Sequence, residues 1–249
     1  MQKIALLSDI HGNLPALQQV VADLLRRGVE RVFNLGDHAS GPLWPKETIQ
    51  FLMAQDWVHL LGNHDRQLVS QDPGQHGPSD RYAFQHLNET ELSWLRCLPA
   101  SLVVDQQLLL FHGAPSSDAT YLLETIEHGR LRLAAQAEIE DRLGGTRLPS
   151  LLCGHTHTPR IVELADHTLI VNPGSVGLPA YYDDDFSKPH VVETGSPHAR
   201  YAILEKRNGS WLVEMIAIDY DHHKAADQAR KNGRLDWEIG LRTGFMGEM

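Results

Sequence analysis

The strongest constraint on the fold lies in the first 65 residues, where short apolar runs alternate with helix-like segments. Residues 3–8 form an apolar run ending in Ser8-Asp9 and read as a buried strand. Residues 14–27 carry Leu14, Leu17, Val20, Val21, Leu24 and Leu25 at helical spacing, and Gly28 stops them. A second strand follows at 31–35, and a second helix at 45–54 with Pro45 suited to its first turn. A third strand follows at 57–61. Strand, helix, strand, helix, strand with short connections implies parallel pairing through right-handed crossovers. The chain is thus expected to build an α/β core from its first quarter.

The rest of the sequence reads differently. Residues 71–78 form a Gly- and Pro-rich loop, and 80–97 two short helices, the second capped by Asn88. Residues 101–104 and 107–111 suggest a hairpin turning at Asp105-Gln106, and 120–143 reads as mainly helical. Short strands are expected at 151–153, 161–164 and 169–171. Asn208-Gly209 joins two more, 201–206 and 211–218, with a strong hairpin signal. The tail after Asp219 is helical and polar, with Trp237, Ile239 and Leu241 available to dock. A loop insertion is expected at about 178–199 and the helical tail from about 220. No linker or repeat interrupts the 249 residues, so one domain over 1–249 is the simplest organisation.

Composition narrows the function classes. The net charge of −10 and the lack of a Lys/Arg-rich stripe disfavour a long nucleic acid as partner. No apolar run reaches the roughly 18 residues a membrane helix needs. Two cysteines cannot make a disulfide framework, and the chain enters its first strand with no leader, which points to a cytoplasmic home. Fifteen histidines are the unusual count.

Their positions carry the signal. Asp9-Ile10-His11, Gly36-Asp37, Gly62-Asn63-His64-Asp65, His112-Gly113 and Gly154-His155-Thr156-His157 each fall at or just past the end of an expected strand. Open α/β sheets bind their ligands there. Each motif alone is an ordinary loop. Together they bring carboxylate, amide and imidazole groups to one place, too many for one ion and suited to two. Such mixed N and O donors suit Mn, Fe, Zn, Co or Ni.

In this order the five motifs resemble the signature of the calcineurin-like metallophosphoesterases. The resemblance runs from residue 4 to about 177, where Asn172-Pro173-Gly174-Ser175-Val176-Gly177 is a further match. The sequence is most similar to the small bacterial and archaeal branch of phosphodiesterase-like and diadenosine-tetraphosphatase-like enzymes. The resemblance implies a four-layer α/β/β/α sandwich of two mixed β-sheets flanked by helices. It implies two divalent transition-metal ions, one held by Asp9, His11 and His157 and the other by Asn63, His112 and His155, with Asp37 bridging. His64 would face the leaving group, with Asp65 holding its ring. The implied reaction is hydrolysis of a small phosphoester or nucleotide by a metal-bridging hydroxide. A protein serine/threonine phosphatase and a non-catalytic scaffold are the alternatives. Asn13, His38, Asn63 and His64 are candidate substrate contacts. Only His38-Ala39-Ser40 separates Gly36-Asp37 from Gly41-Pro42, one residue fewer than in many relatives, so substrate preference does not transfer. The stretch 178–199, which holds the run 180–186 with Tyr181 and Tyr182, is a candidate lid. Cys153 and the five tryptophans read as packing residues, and His222-His223 as solvated.

Overall fold

The computed structural model describes residues 3–184 and 188–247. The first segment runs β1 (Lys3–Leu7), α1 (Leu14–Arg26), β2 (Arg31–Asn34), α2 (Pro45–Met53) and β3 (Val58–His59). Three helices follow, α3 (Asn63–Ser70), α4 (Pro78–His86) and α5 (Glu89–Arg96). Next come β4 (Ser101–Val104), β5 (Leu108–Phe111), β6 (Glu124–Glu127), β7 (Arg130–Leu133) and α6 (Gln136–Leu143). The chain continues with β8 (Ser150–Leu152), β9 (Arg160–Glu163), β10 (Leu169–Asn172), β11 (Ala180–Asp183) and β12 (His190–Glu193). It ends with β13 (Ala199–Arg207), β14 (Ser210–Ile218), α7 (His222–Lys231) and α8 (Leu235–Thr243).

The expected crossovers are present. In the first sheet, ordered β14-β13-β1-β2-β3, β1 pairs in parallel with β2, and β2 with β3. The hairpin β13–β14 closes one edge, and Asn208 and Gly209 both take positive φ at its turn. The second sheet is ordered β4-β5-β8-β10-β9 and is also mixed.

Strand alternation explains how these sheets stack. Ile4 and Leu6 of β1 point one way, joining Phe33, Leu108, Leu110 and Leu152 between the two sheets. Ala5 and Leu7 point the other way, against Leu17 and Val20 of α1, Ala225 and Ala229 of α7, and Leu241 of α8. The outer face of the second sheet packs Leu151 and Ile170 against Ile139 and Leu143 of α6. The result is a helix/sheet/sheet/helix sandwich.

Two expectations need correction. The stretch 120–143 is a β-hairpin, β6–β7, followed by α6, because His128-Gly129 turns the chain with both φ positive. The stretch 178–199 contains β11 and β12 rather than irregular loop. These four strands form a third sheet, ordered β11-β12-β7-β6, where two sheets were expected. Its closure depends on the long-range pairing of Val191 with Arg130, which no local pattern announces. Residues 185–187 of the candidate lid lie outside the described residues. No helix among the described residues is long and apolar enough to cross a membrane.

Candidate metal centre

The strand ends aim their polar side chains by an unusual backbone. Asp9, His11, Asp37, His155 and His157 all adopt positive φ, between 51° and 70°. L-residues avoid this region, and surrounding structure must compensate for it. Each of these residues follows a strand of the first two sheets, where a left-handed residue reverses the chain and turns the side chain over the sheet edge. Close backbone approach completes the arrangement: a Cβ at Gly62 would collide with Asp37, and one at Gly154 with Ser8.

Two clusters result, Asp9 with His11 and His157, and Asp37 with His112 and His155. In the first, His157 Nε2 lies 3.4 Å from Asp9 Oδ1 and 3.1 Å from His11 Nε2. In the second, His112 Nε2 lies 3.2 Å from Asp37 Oδ2 and 3.0 Å from Asn63 Oδ1. Asp37 Oδ2 is also 3.8 Å from His11 Nε2, so this carboxylate reaches both clusters.

Tautomers follow from the hydrogen bonds. The Nδ1–H groups of His11, His112 and His157 donate to the carbonyls of Ser40, Leu35 and Leu178 at 2.8, 2.9 and 2.7 Å. This turns each Nε2 inward, the arrangement that metal-ligating imidazoles use. Two bare imidazole nitrogens therefore face each other beside Asp9 Oδ1, a buried oxygen with no hydrogen-bond partner. Such an assembly of lone pairs is costly unless a cation stands among them. The donor set fits divalent transition metals.

The electrostatics mark a place that favours positive charge. Burial opposes charge on Asp9, yet His157 and His112 hold its carboxyl down at about 2. Burial likewise opposes charge on His112, but Asp37, then Asp9, push it up to about 10. Burial lowers His11 to about 4 and His155 to about 3, keeping both as neutral donors.

A family model for calcineurin-like phosphoesterases matches residues 2–160, a span that holds every residue of both clusters. The chain belongs to the calcineurin-like phosphoesterase family. It is similar along nearly its whole length to an uncharacterized protein of Methanocaldococcus jannaschii, 24% identical over 259 residues and covering 98% of each chain. A metallophosphoesterase from Sphaerobacter thermophilus superposes with a TM-score of 0.71 at 22% identity, covering 96% of this chain and 100% of that one. A hypothetical protein from Pyrococcus horikoshii OT3 gives 0.75 at 19% identity, covering 98% and 99%. These two likenesses concern the fold.

Within this family frame, three side chains lie elsewhere than expected. Asp65 does not hold the His64 ring. Its carboxylate is fully buried and accepts from the backbone N–H of Asp37, His38 and Gly62 and from His38 Nδ1, at 2.7, 3.0, 3.0 and 2.7 Å. It ties the β2 loop to the start of α3, and so fixes Asp37 relative to Asn63. His38 faces Asp65, His59 and Trp94, is fully buried and does not line the cleft. Asn13 caps α1 through Ala16 N and donates to Gly177 O and Tyr220 OH. Asn63 and His64 do line the open cleft.

The partner of His64 is Asp80, from the first turn of α4. His64 Nδ1 lies 2.9 Å from Asp80 Oδ1, and the Ser40 hydroxyl donates to the same oxygen at 2.5 Å. Burial works against a charged His64, but Asp37 and Asp80 outweigh it and raise its pKa to about 9. The cleft above the clusters has a volume of about 530 Å³. Tyr121 packs edge-on against His155 at 4.9 Å, Tyr181 against His157 at 4.7 Å, and Trp237 against His11 at 6.1 Å. Asp80 and Tyr121 carried no signal in the sequence. Tyr181 did, through its place after the Asn172-Pro173-Gly174-Ser175 turn, and Trp237 did as a docking residue.

Proposed function

We propose that this phosphoesterase-family chain is a metal-dependent hydrolase of small phosphoesters, working with two divalent transition-metal ions. The observation that supports this most is the pair of clusters sharing Asp37, with His64 at the open side of the cleft. Asp9, His11 and His157 would hold one ion, and Asn63, His112 and His155 the other, with Asp37 between them. Bound there, such ions activate water and neutralise charge on a phosphoryl group.

The chain's own residues supply the rest. His64 is fixed through Nδ1 by Asp80, which leaves its other nitrogen to give a proton to the departing oxygen. Asp37 and Asp80 keep this imidazole charged, Asp80 aligns it, and Ser40 holds Asp80. Asp65 and His38 position the loop that carries Asp37. Tyr121, Tyr181 and Trp237 wall the centre. These walls favour a small ester over a phosphorylated protein segment. The test is hydrolysis of bis-p-nitrophenyl phosphate, p-nitrophenyl phosphate and a phosphopeptide, side by side, by the Mn²⁺-loaded protein. Turnover of the small esters that chelation abolishes is expected. Activity untouched by exhaustive chelation would overturn the proposal.

A further inference from the structure

We propose that the Arg234–Asp236 pair limits the cleft to esters with one phosphate and a neutral or cationic organic part, a substrate class that rests on the phosphoesterase reading. Among the described residues lining the cleft, Arg234 is the only Lys or Arg. A second phosphate would turn to it for a two-pronged contact, and its Nε–Nη2 face is already taken. Its Nε donates to Asp236 Oδ1 at 2.9 Å and its Nη2 to Asp236 Oδ2 at 2.6 Å. Nη1 donates to Ser79 Oγ at 2.8 Å, and the guanidinium lies over the Trp237 ring, 5.6 Å from its centroid. Carboxylate and phosphate use the same two-pronged face of a guanidinium, so Asp236 holds the place a phosphate would take.

The phenols of the wall are engaged as well. His190 Nδ1 donates to Lys188 O at 2.8 Å, so its Nε2 is an acceptor. Tyr121 OH lies 3.0 Å from that Nε2 and 2.9 Å from Tyr181 OH. Tyr121 therefore donates to His190 and accepts from Tyr181, and both phenolic protons are used. Asp80, Asp184 and Asp236 add carboxylates to the same cleft. A second phosphate meets repulsion there, whereas a planar or cationic group meets Tyr182, Trp237 and carboxylates.

The pair also makes a prediction with an unusual sign. Removing the Asp236 charge releases Arg234 and adds a phosphate site. The experiment compares the p-nitrophenyl ester of thymidine 5′-phosphate with the same ester phosphorylated at the 3′ position. Bond and leaving group are identical, and only the remote phosphate differs. The Mn²⁺-loaded wild type is expected to favour the singly phosphorylated ester in kcat/KM by about tenfold or more. Asp236→Asn should narrow the ratio to within about threefold, through a lower KM for the doubly phosphorylated ester. The double variant R234Q/D236N should restore the wild-type preference. Isothermal titration of thymidine 3′,5′-bisphosphate should show tighter binding to Asp236→Asn than to wild type. Equal use of the two esters by wild type, or an unchanged ratio in Asp236→Asn, would overturn the proposal while leaving the phosphoesterase reading intact. Hydrolysis of neither ester would overturn that reading and this proposal with it.

Discussion

His11 follows the end of β1 by a few residues, whereas Trp237, which packs against it, comes from the C-terminal helix α8. The same contrast holds around the whole cleft. Its floor is made of residues at strand ends, and Asp9, His11, Asp37, His155 and His157 among them are aimed by local left-handed turns. Its walls are made of β11, α4 and α8, which reach the floor only through packing of distant segments. On the proposed function, the floor fixes the chemistry and the walls choose what is brought to it. Substitutions in the floor are therefore expected to abolish turnover, and substitutions in the walls to redirect it.

The largest expected effect is at Asp37, the carboxylate that reaches both clusters. Asp37→Ala should lower kcat/KM on bis-p-nitrophenyl phosphate by about 10³ or more, with circular dichroism unchanged. Near-normal turnover of a folded, metal-loaded variant would break the distinction between floor and walls. His64→Ala should cost about 10²-fold on esters with poor leaving groups. Asp80→Asn, one contact further out, should cost about tenfold on the same esters and much less on p-nitrophenyl esters, whose leaving group needs no proton. Equal losses on both kinds of ester would assign Asp80 a purely structural role. Trp237→Ala should raise KM about fivefold while leaving kcat within about threefold, the behaviour of uniform binding. A large fall in kcat would move Trp237 from the walls into the floor.

How much of this was legible follows the same division. Asp9, His11, Asp37, Asn63, His112, His155 and His157 all sit within short motifs after apolar runs, so spacing along the chain reports their position in space. Asp80 gives no such report, because its contact with Ser40 is made by docking α4 against the β2 loop. Arg234 touches Ser79 across most of the chain. The third sheet escaped for a related reason. His128-Gly129 is a weaker turn signal than Asn208-Gly209, and β12 joins β7 from far along the sequence. Asp65 illustrates a different limit. Its place beside His64 in sequence suggested a pair, but at the start of α3 its carboxylate turns back to the chain's own N–H groups.

A smaller effect concerns stability beneath the floor. His59 is buried against His38 and Trp94, and burial, then His38, lowers its pKa to about 3. Near pH 5 the unfolded chain binds a proton at this position and the folded chain does not. The stabilisation is thus present above the unfolded pKa, near 6.5, and is lost as pH falls from there toward 3. Between pH 7 and pH 5 the loss is about 2 kcal/mol. Urea unfolding of His59→Gln should show a pH dependence flatter than wild type by that amount. An unchanged slope would mean that His59 is not held neutral.

The central claim is that the two clusters are two metal sites sharing Asp37. Its most direct test is anomalous diffraction from crystals grown with Mn²⁺, supported by elemental analysis of the same protein. The expected result is two ions per chain, about 3.5–4 Å apart, with Asp37 bound to both. A single ion, or none at Asp37, would contradict it.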